Sequence, residues 1–113
     1  MAMRIGQYAQ NLQPIEGMLR GTLQQGEARS HAFEIAAGHC YRIIAVGGVD
    51  VNDLDLSLFG PDGAEIDADT QTDNYPVIGR SRPVCPPAAG RYRLEVRMYD
   101  GHGDYGVQVF GTP

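Results

Sequence analysis

Six aspartates crowd one short stretch of this chain, and besides Asp62 in its turn they are Asp53, Asp55, Asp67, Asp69 and Asp73. Carboxylates at that density are the donors a hard cation takes, since calcium collects about six to eight oxygens on a bendable loop. If Asp67 opens such a loop, Asp69 and Asp73 fall at its third and seventh positions. An EF-hand then needs Gly at the sixth and Glu at the twelfth, where Thr72 and Ile78 stand, so that motif is excluded. A calcium site built from Asp53 or Asp55 with Asp69 and Asp73 is open, because the two arms of a hairpin bring them together. The competing reading is a solvated rim in which Asp62, Asp69 and Asp73 bond turn amides. Either way the charges need an offset, because like charges about 4 Å apart repel by about 1 kcal/mol even in water. A cation, Arg80 or Arg82, or turn amides must supply it.

Other chemistries find no footing. His31, His39 and His102 lie in three separate segments with no ligand spacing. Ser30, Ser57 and Ser81 lack the strained elbow and the His and Asp partners of a serine nucleophile. Glu65 and Glu95 read as outward strand residues, and a sandwich of 113 residues leaves little room for the cleft of a glycosidase. No enzyme is expected. Cys40 and Cys85 show neither metal nor redox spacing. They form one disulfide in an oxidising compartment, stabilising by about 4 kcal/mol in the chain-entropy model, or they are two reduced, buried cysteines. Arg91, Arg93 and Arg97, joined by Tyr99, make an outward row of the residue types enriched at interface anchors. The same row also suits a solvated sheet face paired across strands with acids.

The elements that must carry these groups are strands. In Asp53–Phe59, Leu54, Leu56 and Leu58 point one way while Asp53, Asp55 and Ser57 point to the wet side. Pro61-Asp62-Gly63 turns this strand into a second arm ending at Asp69. Further strands are expected at Ile15–Leu23, at Ser30–Ala36 with Phe33 and Ile35 inward, and at Cys40–Val46 with Tyr41, Ile43 and Ala45 on one face. The run from Pro76 to Cys85 is crossed by Pro83, which makes it an edge strand or a covering loop. Arg91–Tyr99 alternates most clearly, with Tyr92, Leu94, Val96 and Met98 inward. Asp100-Gly-His-Gly-Asp104 reads as a hairpin loop into a last strand with Tyr105, Val107 and Val109 buried. About eight short strands at intervals near ten residues imply an all-β, antiparallel β-sandwich of jelly-roll type. Residues 1–14 are set apart as an N-terminal arm with a short helix or arm over Arg4–Leu12, and 15–113 form the single domain.

Composition narrows the partners. The chain carries 15 Gly and 7 Pro as punctuation between strands, and its 42% apolar and 20% charged residues suit a globular fold. Every basic residue is Arg, and the formal charge is −5. No basic cluster offsets that charge, which excludes nucleic acid as a partner. No run approaches the about 18 apolar residues of a membrane span, and the first ten residues hold no apolar signal region.

Several short motifs then fall in a telling order. Gly21-Thr-Leu and Gly26-Glu precede His31-Ala-Phe-Glu-Ile, and Ala37-Gly38 leads into Tyr41-Arg-Ile-Ile. Asp53-Leu-Asp-Leu-Ser-Leu-Phe is followed by Pro-Asp-Gly, and Ala89-Gly90-Arg-Tyr-Arg-Leu-Glu-Val precedes Gly103-Asp-Tyr-Gly-Val-Gln-Val. This series, from Gly21 to Gly111, resembles the bacterial pre-peptidase C-terminal (PPC) or collagen-binding-like domain. The resemblance implies a small secreted sandwich appended to exported enzymes, of a kind that in some members binds calcium or matrix polymers. The expected function is a non-catalytic accessory or binding module, extracellular or periplasmic, whose partner is a protein or an extracellular polymer. The alternative is a structural subunit that assembles with its own copies through an exposed sheet edge or the N-terminal arm.

Overall fold

The alternating runs become nine strands among the described residues of a computed structural model, namely 13–14, 18–86 and 88–112. They are β1 (Gln13–Pro14), β2 (Leu19–Leu23), β3 (Ala28–Ile35), β4 (Tyr41–Gly47), β5 (Val51–Phe59), β6 (Glu65–Asp69), β7 (Val77–Ile78), β8 (Gly90–Gly101) and β9 (Gly103–Gly111). All pairings are antiparallel, and no helix occurs among the described residues. One sheet of four runs β3-β8-β5-β6. The other, of five, runs β9-β4-β7, with β1 and β2 both paired to the far side of β9.

The inward residues of each sheet meet in one core, as period-two patterning requires. Leu54, Leu56 and Leu58 of β5 and Tyr92, Leu94, Val96 and Met98 of β8 are buried there. They pack against Tyr41, Ile43 and Ala45 of β4 and Tyr105, Val107 and Val109 of β9. Phe33 and Ile35 complete the β3 side. The sandwich is therefore the all-β architecture expected, with the inward sets as read from the alternation.

Local chemistry sets the connections. Gly63 takes φ 86° in the β5–β6 turn, and the Asp62 carboxylate accepts the Ala64 N–H at 3.1 Å. The expected hairpin at Asp100–Asp104 is corrected: β8 and β9 lie in different sheets, so this segment carries the chain across the sandwich. Gly101 and Gly103, at φ 97° and 127°, make that crossing, and a Cβ on Gly101 would collide with the Asp50 carbonyl. Two adjustments concern the start of the chain. The expected strand over Ile15–Leu23 is observed from Leu19, residues 15–17 being outside the described set. Gln13–Pro14 forms a strand of its own, and the helix or arm expected over Arg4–Leu12 lies outside the described residues.

The run Pro76–Cys85 lies at the edge of the five-stranded sheet, as its proline implied. Its first part is β7, paired with β4 through Ile43 and Ile44. Its last part returns to β4, where the Tyr41 and Val84 backbones exchange hydrogen bonds of 2.7 and 2.8 Å. The next residue in the run, Cys85, forms a disulfide with Cys40, their Cα atoms 4.1 Å apart. Reduction should raise the intact mass by two hydrogens. Replacing both cysteines with serine should cost about 4 kcal/mol, lowering the melting temperature by roughly 10 °C or more. Two thiols freely alkylated without reductant would contradict the bridge.

Candidate functional site

The acidic hairpin is where the sequence pointed, and its two arms behave differently. On β6 the register places Asp67 opposite Leu58 and Asp69 opposite Leu56, so both aspartates share the face of the core leucines. Asp69 is 5% exposed, whereas Ile66 is 41% exposed. The alternation of β6 is thus inverted relative to a half-buried strand, and its cause lies across the gap. Asp67 Oδ2 accepts the Gly79 N–H at 2.9 Å, and Asp69 Oδ2 accepts the Val77 N–H at 2.8 Å. The two carboxylates stitch the edge of one sheet to the edge of the other. Their second oxygens accept the Ala68 and Gln71 N–H groups at 2.9 and 3.1 Å. An edge strand with inward carboxylates that cap an amide of its own and one of the following loop is blunted against pairing.

On β5 the expectation of a wet face needs correction. Asp53 is 5% exposed, in a strand whose register shifts on both sides of it. The 70–74 loop lies alongside, its Asp73 carbonyl accepting the Leu54 N–H at 2.9 Å. Asp53 Oδ1 and Asp55 Oδ1 are buried without a hydrogen-bond partner. Burial, with a hydrogen bond to Asp53 and the charges of Asp53, Asp69 and Asp73, pushes the Asp55 carboxyl up to about 7. Asp55 is therefore protonated about half the time at neutrality, the proton shared with the neighbouring Asp53 carboxylate. Burial also pushes Asp73 up, against the Tyr75 N–H that it accepts at 3.2 Å.

The offset is Arg80. Its Nη2 donates to Asp69 Oδ2 at 2.7 Å and lies 3.8 Å from Asp73 Oδ2. Arg82 instead lines, with Asp67, Thr70, Gln71 and Ser81, an open groove of about 580 Å³ between β6 and the segment after β7. The fold thus brings Asp53, Asp55, Asp69 and Asp73 into one electrostatic neighbourhood. Among the described residues no three acidic, histidine or cysteine side chains converge as a metal cage.

The outward row of β8 sits in the middle of the four-stranded sheet. Glu95 lies between Arg93 and Arg97, at 3.7 and 3.1 Å. Arg93 stacks 4.2 Å over the Phe59 ring and donates to Ser30 Oγ at 2.9 Å. Arg91 lies opposite Glu34, and Tyr99 is 66% exposed.

One pair escaped the sequence reading. His31 Nε2 and the Tyr105 hydroxyl share a hydrogen bond of 2.8 Å that joins β3 to β9 between the sheets. Gly21 makes room for it, since a Cβ there would overlap the Tyr105 hydroxyl. Burial, aided by Arg29, holds His31 below its ordinary value, and burial pushes Tyr105 up. Glycine opposite tyrosine in neighbouring strands was the available signal.

These features define a class: a disulfide-linked antiparallel sandwich whose conspicuous polar groups are engaged in closing its own edges. Among solved structures, the pre-peptidase C-terminal domain of collagenase from Bacillus anthracis has the same fold. Its TM-score is 0.59 at 19% identity, covering 81% of this chain and 86% of that one. A periplasmic inhibitor of g-type lysozyme from Aeromonas hydrophila is similar as well, with TM-score 0.57, 16% identity and 85% of each chain covered. No family model and no curated protein matches the sequence. The fold is thus PPC-like. No helix among the described residues is long and apolar enough to cross a membrane.

Asp55 sets a pH dependence. The folded chain keeps its proton up to about pH 7, while the unfolded chain releases it near 3.8. Between those values the folded state binds more protons, so this group's contribution falls as pH rises through the window. Asp55→Asn keeps a donor toward Asp53 and removes the titration. Its melting temperature should exceed the parent's by about 4 °C at pH 8 and converge with it near pH 4. Parallel melting profiles for the two proteins would show that Asp55 titrates normally.

Proposed function

We propose that this chain is a non-catalytic binding module of an exported bacterial protein, meeting a protein or an extracellular polymer through the outer face of its four-stranded sheet. The observation that carries the reading is the β8 row. On a chain of formal charge −5, three arginines and an exposed tyrosine share one column. Arg93 is held in place by Phe59 and Ser30. Prearranged arginine and tyrosine lose little freedom on binding, and such residues anchor interfaces. The Cys40–Cys85 bridge fits an extracellular or periplasmic location. The shared fold supports the class of module, since one structural relative is a domain of a collagenase and another inhibits a lysozyme.

Immobilised collagen, gelatin, peptidoglycan and a g-type lysozyme are suitable probes for surface-binding measurements. Saturable binding to at least one is expected, weakened about tenfold by Arg93→Ala and by Tyr99→Ala. Absence of saturable binding to all four, or binding indifferent to both substitutions, would refute this use of the face.

A second reading assigns calcium to the acidic cluster. It is supported by the two unpartnered oxygens of Asp53 and Asp55. It is opposed by Arg80, which already lies against Asp69 and Asp73. Thermal melts in millimolar calcium and in chelator should superimpose. A rise of roughly 10 °C in calcium would instead assign the cluster to the cation.

A further inference from the structure

The two edges of the four-stranded sheet are treated unequally. At β6 the Asp67 carboxylate caps the strand's own Ala68 amide, and the Asp69 carboxylate caps the Gln71 amide just beyond it. At β3 no strand among the described residues pairs with the outer side. The Met98 N–H bonds the Glu27 carbonyl, and the Gly26 N–H bonds the Met98 carbonyl, which fixes the phase of the β3–β8 ladder. Alternate residues of an antiparallel strand face opposite sides. Residues 29, 31, 33 and 35 therefore bond β8, while Ala28, Ser30, Ala32 and Glu34 turn their N–H and C=O groups outward. These four residues are exposed, and the pairing with β8 runs from Ala28 to Ile35 without a register shift. The strand contains no proline, no lysine and no bulge, the usual devices that protect an edge.

We propose that β3 is a self-association edge, pairing antiparallel with β3 of a second copy of this chain to make a continuous eight-stranded sheet. Only one register uses all four outward residues of both copies. It sets Ala28 opposite Glu34 and Ser30 opposite Ala32, with the two-fold axis at His31, and forms about eight ladder hydrogen bonds.

Charge complementarity selects the same register. Within each copy Ala28 lies beside Arg97, Ser30 beside Glu95, and Ala32 beside Arg93. In this register Glu34 of one copy faces Arg97 of the other across the small Ala28. Arg93 of one copy likewise faces Glu95 of the other across Ala32 and Ser30. The Glu34–Arg97 separation is about two strand spacings, near 10 Å between backbones, which an arginine and a glutamate span together; the Arg93–Glu95 separation is about three, near 14 Å, and acts as a longer-range attraction. Sliding the strands to the next register on either side sets Arg93 against Arg93 or Glu95 against Glu95. The alternation of sign along β8 thus favours one alignment and penalises its neighbours. This pairing goes beyond the binding reading and does not depend on which ligand the outer face takes.

Sedimentation of the full chain tests it. The 12.3 kDa chain should show a concentration-dependent equilibrium with a species of twice that mass. Ala32→Pro removes an outward N–H that the monomer does not use, so it should abolish the dimer while the chain still folds. Glu34→Arg should weaken the dimer about tenfold, and the exchange Glu34→Arg with Arg97→Glu should restore it. If the proline variant does not fold, the two charge variants decide. A chain that stays monomeric up to about 100 µM, or a dimer that survives both Ala32→Pro and Glu34→Arg, overturns the proposal.

Discussion

The sandwich depends on how its open side between β6 and β7 is closed. Hydrophobic burial brings two sheets face to face, yet burial says nothing about the unpaired amides left where their edges meet. Here Asp67 and Asp69 project from one edge and accept amides from the other. Arg80 then neutralises Asp69, and the Tyr41–Val84 bridge and the Cys40–Cys85 disulfide hold the far end of the same segment. A buried amide without an acceptor costs about 1–3 kcal/mol, so these carboxylates are fixed by need rather than by surface chance.

That constraint explains which parts of the fold were legible. Alternation in β5 and β8 was readable because a central strand packs one face on the core, and Leu54, Leu56, Leu58, Tyr92, Leu94, Val96 and Met98 obey it. Cys40 and Cys85 were readable as a pair because they offered no other chemistry. The faces of Asp53, Asp67 and Asp69 were not readable. In β6 hydrophobicity would turn Ile66 and Ala68 inward, but acceptors for Val77 and Gly79 outrank it. In β5 the register shifts on both sides of Asp53 break the period on which its assignment rested. The crossing at Gly101–Gly103 was misread for a related reason. A glycine-rich loop between two strands looks the same whether the strands share a sheet or not.

The site follows the same logic. Asp62, Asp69 and Asp73 each accept the N–H two residues ahead, although Asp69 does so while buried. What the local pattern could not reveal was the Asp53–Asp55 contact under a loop far along the chain, because only the fold makes those carboxyls neighbours of Asp73. His31 and Tyr105 belong to the same category: a polar pair between sheets, separated by most of the sequence.

The sheet order has a consequence for how the molecule comes into being. β9 is the partner of β1, β2 and β4 at once, and β8 is the partner of both β3 and β5. A nascent chain that ends before residue 90 holds little more than the β5–β6 hairpin and the β4–β7 contact. Neither sheet can close until β8 and β9 arrive, and β9 then also takes up β1 where Gln13 meets Gly111. Assembly is therefore a late event that joins distant segments together, slow in the manner of folds dominated by non-local pairing. Such a chain stays unpaired along most of its length until β8 and β9 are available, and it becomes rigid only then.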